Sequence, residues 1–342
     1  MDTKGHHMSK PSLFPSLASW MGTTPATHPL REQFDAADES DHPTSFRRTV
    51  LQAFDDIIAT LEKAEPLRLS QPKGDFLKAK TDDDLLIVRA ELVAAAKLAS
   101  AGVGFDFGAR KGSPEPDLIL REANLALEVK ARRPNGLRDL VSELKAALDE
   151  IEVGVTVHLA CSEMPLVIKK DAREAIIKET LDRVWAGAWG TRVTQLDQPW
   201  AATPRLDLAV RLFEQSIPLA PGSHVVVENG FELSGHLQDV ESVVLAVLDD
   251  EQKIKQAEAR PTILLIDAAR TGNAWMRSGH IWARRLADRL PDSTPFVGVG
   301  VMIPTLDKAD VPISLALRGN AAPEALEAAK KLAVDLGLDL AE

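Results

Sequence analysis

The 342-residue sequence predicts an α/β fold: a mixed central sheet flanked by helices, with additional α/β elements and an N-terminal helical extension. Three observations predict it. Segments with apolar residues at helical spacing alternate along the chain with short apolar runs of strand length. Two of those runs, LALEVKA and PTILLIDA, are apolar enough to be largely buried, as strands inside a helix-covered sheet are. The composition, 45% hydrophobic and 27% charged, is that of a globular chain long enough to bury a full core.

Residues 1–45 are rich in Pro, Ser, Thr and His and show little periodicity, which predicts an extended or partly disordered arm. From Thr44 to Ala64 a helix is predicted, with Phe46, Val50, Leu51, Phe54, Ile57, Ile58 and Leu61 on one face. Pro66, Pro72 and Gly74 then predict a linker. DDDLLIVRAELVAAAKLASAG reads as a helix opened by Asp residues and closed by Gly102. In GVGFDFG the glycines follow a helix and enter a strand, the reverse of a dinucleotide loop, so they predict a turn. Residues 115–121 and 124–131 read as adjacent antiparallel strands joined by the short REAN connection.

GLRDLVSELKAALDEI repeats Leu137, Leu140, Val141, Leu144, Leu148 and Ile151 at helical spacing. VGVTVHLA, Val153 to Ala160, is then the candidate fourth core strand. Beyond it, helices are expected in KKDAREAIIKETLDRVWAG, DVESVVLAVLDDEQKIKQAEA, GHIWARRLADRL and PEALEAAKKLAVDL. Strands are expected in RLDLAVRLF, HVVVENGFEL, PTILLIDA, PFVGVGVMI and VPISLALR. With no linker-like break between 160 and 320, the expected organisation is an arm with a helix over 1–80, one elaborated domain over 81–320, and a C-terminal helix over 321–342.

Composition also excludes several classes. A net charge of −11 argues against a protein that coats nucleic acid nonspecifically. Cys161 is the single cysteine, which rules out a disulfide framework or a thiolate metal cluster and reads as an inert small hydrophobe. No apolar run reaches the roughly 18 residues of a membrane span, and no secretory segment is apparent, so a soluble cytoplasmic protein with no membrane partner is expected. His158, His224, His236 and His280 lack metal-ligand spacing, and neither a Gly-x-Ser-x-Gly nor a Walker loop occurs. Trp185, Trp189 and Trp200 read as core or interface, and Asp267 as a cap or turn residue.

The chemistry concentrates in residues 102–133, GVGFDFGARKGSPEPDLILREANLALEVKARR. Side chains two apart in a strand share a face, so Glu128 and Lys130 project together while Val129 points into the opposite layer. With Asp117 alongside on the preceding strand, two carboxylates and an ammonium converge at one sheet edge. Two carboxylates can hold a hard divalent cation, and a lysine beside them can orient a water, a set suited to phosphodiester hydrolysis. Without metal, the two carboxylates are expected to repel each other, so that neutralising Glu128 stabilises the chain. Residues 103–138 carry seven basic and five acidic side chains, a local excess of +2 in an acidic protein. Lys253, Lys255 and Gln256 stand on a later helix, either solvated or in contact with a phosphate backbone.

Pro116-Asp117 and Glu128-Val129-Lys130, between a helix and a helix-strand pair, resemble the PD-(D/E)XK, or restriction-endonuclease-like, nuclease superfamily over about residues 82–160. The resemblance implies a metal-dependent endonuclease acting on DNA more often than RNA. In it Asp117, Glu128 and the Val129 carbonyl hold Mg²⁺ (or Mn²⁺), Lys130 positions the attacking water, and Glu91 supplies the acidic residue of the preceding helix. Arg132, Arg133 and Arg138 are the candidate phosphate contacts, no organic cofactor is implied, and a homodimer is compatible. The exonuclease branch places Gln and Tyr on the helix after the Glu-x-Lys strand; this chain has no Tyr, which disfavours that branch. Two other readings stand beside it: a catalytically inactive nuclease-fold module that binds nucleic acid or protein, and a non-nuclease α/β scaffold subunit.

Overall fold

The structure, a computed structural model, describes residues 13–22, 24–37, 41–110, 115–131, 136–151, 154–161, 168, 170–197, 205–214, 224–227, 244, 247, 248, 250–268, 279–303, 305–338 and 340. Its first half comprises α1 (Pro15–Met21), α2 (Arg31–Ala36), α3 (Phe46–Ala64), α4 (Ser70–Lys78), α5 (Asp82–Ser100), β1 (Phe105–Phe107), β2 (Leu118–Leu120), β3 (Ala126–Lys130), α6 (Gly136–Asp149) and β4 (Val155–Cys161). There follow α7 (Lys170–Trp185), β5 (Gly190–Asp197), β6 (Arg205–Glu214), β7 (His224–Val227), α8 (Glu251–Ala259), β8 (Thr262–Asp267), α9 (Gly279–Ala287), β9 (Phe296–Met302), β10 (Ile313–Leu317) and α10 (Pro323–Asp335).

The chain divides into two compact units, residues 1–132 with 250–342, and residues 133–249. This differs from the single domain expected over 81–320: the second unit is inserted between β3 and α8, where the first crossing leads straight into Pro134-Asn135-Gly136 and the second, at 249–250, carries no Pro or Gly to mark it.

The first unit is built on a mixed six-stranded sheet in the order β1-β2-β3-β8-β9-β10. β1, β2 and β3 form an antiparallel meander, β3 pairs parallel with β8, β8 parallel with β9, and β9 antiparallel with β10. Every residue of β8 and β9 is buried, as expected of parallel strands covered on both faces. Ile263 and Leu265 of β8 join the apolar cluster of α5, Leu127 and Val129, while Leu264 and Ile266 alternate to the opposite face.

The helix α5 occupies its expected span because its first turn is doubly capped. The Thr81 hydroxyl accepts from the Asp84 amide at 3.1 Å, and the Asp84 carboxylate accepts from the Thr81 amide at 3.1 Å. Two expectations upstream are corrected. The linker at Pro66–Gly74 contains helix α4, which tolerates Pro72 because first-turn amides need no intrahelical partner. The arm contains α1 and α2, and Leu17, Trp20 and Met21 of α1 are buried; the Leu17 amide donates to Asp55 at 2.8 Å. Residues 1–12, with His6 and His7, lie outside the described residues.

A larger correction concerns the core. Residues 155–161 do form a strand and 136–149 a helix, but they belong to the second unit. There β4 lies in a four-stranded sheet of order β5-β6-β4-β7, pairing antiparallel with β6 and parallel with β7. The α6 leucines 137, 140, 144 and 148 pack on Val155, Val157 and Leu159. In the first unit it is α8 and β8 that follow β3 in the fold. Trp185 and Trp189, expected in a core or interface, are exposed, and Trp200 lies outside the described residues. Burial pushes the Cys161 thiol up to about 12, consistent with an inert side chain. Among the described residues no helix is long and apolar enough to cross a membrane.

Candidate active site

The meander sets the geometry. Leu118 pairs with Leu127 and Ile119 with Ala126, so the next position along the ladder puts Asp117 opposite Glu128. The Asp117 side chain accepts the Val129 amide at 2.8 Å, which fixes the carboxylate against β3. Its own carbonyl accepts from the Gly108 amide at 2.9 Å. A side chain at Gly108 would collide with the Pro116 carbonyl, so the chain can pass Pro116-Asp117 this closely only at a glycine. Val129 faces the apolar layer, as its alternation with Glu128 and Lys130 requires.

Glu128 is the most buried acid of this edge, at 1% exposure. Lys130 Nζ, from the same strand face, lies 2.5 Å from Glu128 Oε1. Lys253 Nζ, from the first turn of α8, reaches the same oxygen at 2.7 Å. The contacts are close but poorly aimed: both Glu128 oxygens are buried without a well-directed hydrogen bond. One turn along α8, the Gln256 amide nitrogen donates to the Glu115 carbonyl at 3.0 Å, and Gln256 Oε1 is buried with no hydrogen-bond partner. α8 thus holds both halves of the motif, the Glu115-Pro116-Asp117 approach and the Glu128 strand.

Glu91 projects from α5 into the same electrostatic neighbourhood. Arg110 donates to its two oxygens at 3.0 and 2.8 Å and also pairs with Asp75. Burial, then the negative charges of Asp117 and Glu128, push the Glu91 carboxyl well above the usual range, against the pull of Lys130 and Lys253. The Arg110 guanidinium works the other way, one of its nitrogens reaching both Glu91 oxygens. Burial, then Asp117, also raises the Glu128 carboxyl. Lys130 and Lys253, both in contact with it, pull the other way. Burial lowers the Lys253 ammonium, but the charges of Glu128 and Asp117 outweigh it and hold it above its ordinary value.

Of the sequence-predicted residues, Asp117, Glu128, Lys130 and Glu91 are therefore brought together. Arg132 and Arg133 lie outside the described residues, as does the side chain of Arg138, whose backbone belongs to α6 of the second unit. The Lys253 contact with Glu128 was missed. The Asp250 cap, whose side chain accepts from the Gln252 and Lys253 amides, marks where α8 starts, but nothing local says that its first turn meets Glu128.

Among the described residues no group of three or more His, Cys, Asp and Glu side chains is gathered as a ready metal cage. Two carboxylates facing each other across a ladder, one of them buried with an unsatisfied oxygen, nevertheless fit a hard divalent cation, which prefers oxygen donors and keeps several waters. The chain matches no protein-family model, no curated protein and no solved structure.

Proposed function

We propose that this chain is a cytoplasmic, metal-dependent endonuclease-like protein of the PD-(D/E)XK type that hydrolyses phosphodiester bonds of DNA. The observation that carries the reading is the buried Glu128 carboxylate with its unsatisfied oxygen, opposite Asp117 and one strand step from Lys130. The order α5, β1, β2, β3, α8, β8, with β8 parallel to β3, supports the same superfamily core.

In this reading Asp117, Glu128 and the Val129 carbonyl hold Mg²⁺ or Mn²⁺. The ion supplies Lewis-acid polarisation of the scissile phosphate and lowers the pKa of a bound water. The residues do the rest. The Val129 amide keeps Asp117 turned toward Glu128. Lys130 holds the attacking water and balances the negative charge that grows on the phosphate. Glu91, clamped by Arg110, completes the acidic wall on the α5 side.

The test is nicking of supercoiled plasmid in Mg²⁺ and Mn²⁺ by wild type, Asp117→Ala and Lys130→Ala. Cleavage is expected in the wild type alone, and equal activity in all three would assign it to a contaminant. A second reading is favoured by one specific observation: Lys130 and Lys253 already supply the positive charge that an ion would bring to Glu128. The fold then serves without catalysis as a module that binds nucleic acid or protein, and metal shifts neither stability nor DNA binding.

A further inference from the structure

Two ammonium groups meet at a single carboxylate oxygen, where one suffices to neutralise it. Lys130 does so from its own strand, at 2.5 Å. Lys253 adds a second cation from a separate element, at 2.7 Å, with a side chain only 16% exposed. Both nitrogens touch the same oxygen, so two like charges stand side by side in a largely desolvated place, an arrangement costly for stability alone. Asp117 across the ladder, and Glu91 held by Arg110, bring the carboxylates level with the cations, so the cluster is balanced as it stands and a bound divalent cation would leave it positive and suited to an anionic ligand.

We infer that Lys253 is the phosphate-binding cation of the site, distinct from the water-positioning Lys130. The inference rests on the nuclease reading and extends it to how the substrate is held. Lys130 is fixed by the pleat of β3 to the Glu128 face. Lys253 sits in the first turn of α8, whose leading amides are already capped by the Asp250 carboxylate, so it is the ammonium and not the helix end that is left for a phosphate. With Asp117 and Glu128 holding a divalent cation, Glu128 would no longer need Lys253 for charge balance, and the Lys253 ammonium would be free to pair with a phosphate. Gln256 keeps α8 anchored to the Glu115 carbonyl meanwhile, so the lysine moves by its own flexible stem and the helix stays in place. A DNA backbone phosphate, singly charged and hydrogen-bond accepting, is the ligand this chemistry recognises.

The test uses the full chain and a fluorescein-labelled mixed-sequence DNA duplex in Mg²⁺, in a Lys130→Met background so that cleavage does not interfere. Adding Lys253→Met is expected to weaken binding about tenfold and to make the slope of log affinity against log salt shallower by about one. Lys253→Arg keeps the charge and is expected to restore both. In the otherwise wild-type chain, Lys253→Met is expected to raise KM with little change in kcat, whereas Lys130→Met lowers kcat. Melting temperatures are measured alongside, and Lys253→Gln replaces Lys253→Met should the latter fail to fold. A purely structural lysine would shift the melting temperature and leave the salt slope unchanged, which overturns the inference while the nuclease reading survives. A wild-type chain that neither binds nor cleaves the duplex in Mg²⁺ overturns both.

Discussion

Replacing Glu128 by Gln in the absence of metal separates two opposed electrostatic effects. From sequence, the dominant one is repulsion between Asp117 and Glu128, and the substitution stabilises. The structure reverses that expectation. The carboxylate is 1% exposed and touches two ammonium nitrogens at 2.5 and 2.7 Å. At such separations each attraction is about 6 kcal/mol for an effective dielectric of ~20, before desolvation is subtracted. Measured losses on removing one partner of a buried pair run at about 3–5 kcal/mol, because the other charge is left uncompensated. Relief of the repulsion with Asp117 returns part of this, so a net loss of about 3 kcal/mol is expected. For a unit of this size that lowers the melting temperature by roughly 6–12 °C. The assay is thermal unfolding followed by circular dichroism at neutral pH in EDTA. Glu128→Gln/Lys253→Met should lose less than the two single variants added together, since the second change removes a stranded cation. A Glu128→Gln chain that melts at or above the wild-type temperature would refute the reasoning and restore carboxylate repulsion as the larger effect.

Other outcomes follow from the same geometry. Millimolar Mg²⁺ or Mn²⁺ should raise the wild-type melting temperature by a few degrees, equivalent to ~2.7 kcal/mol at a hundred times Kd, and should do nothing for Asp117→Ala. Gly108→Ala should cost about 1–3 kcal/mol in urea titration and abolish cleavage by displacing Pro116-Asp117. Gly104→Ala, where a side chain would meet only Arg121 at ordinary contact distance, should stay within about 0.5 kcal/mol of wild type. His28 is buried, with Nε2 bonded to the Phe76 carbonyl and Nδ1 accepting the Leu30 amide. Burial chiefly depresses its pKa, so its stabilising contribution is complete above about pH 6.5 and is lost as pH falls toward the depressed folded value. Urea midpoints should therefore drop between about pH 6.5 and 5.5 in wild type, and less in His28→Gln.

Much of the site was legible because its signals are local. The spans of α5 and of the β2–β3 hairpin follow from caps, alternation and a short turn, all read within a few residues. The fourth core strand was misplaced because a parallel partner is set by a long crossover, and sequence distance does not say which strand returns. A signal did exist. Val155, Val157 and Leu159 alternate with Thr156, His158 and Ala160, the pattern of a strand with one covered face, and burial follows it. ILLI in β8 has no polar alternate and belongs in a sheet covered on both sides. α4 escaped notice because Pro72 and Gly74 read as breakers, although a proline in the first turn leaves no amide unsatisfied. The Lys253–Glu128 contact depends on α8 returning after the whole inserted unit, which no local pattern encodes.

That insertion also bears on how the protein is made. Roughly 130 residues separate the end of β3 from the start of β8. At ~5–20 residues per second, a ribosome needs on the order of ten seconds to deliver the partner strand. Throughout that interval the β1–β3 meander has an open edge, the kind of surface that recruits stray strands. Its last strand carries Glu128 and Lys130, and charges on an exposed edge are a common protection against such pairing. Replacing both by apolar residues is therefore expected to lower the soluble yield before any enzyme is assayed.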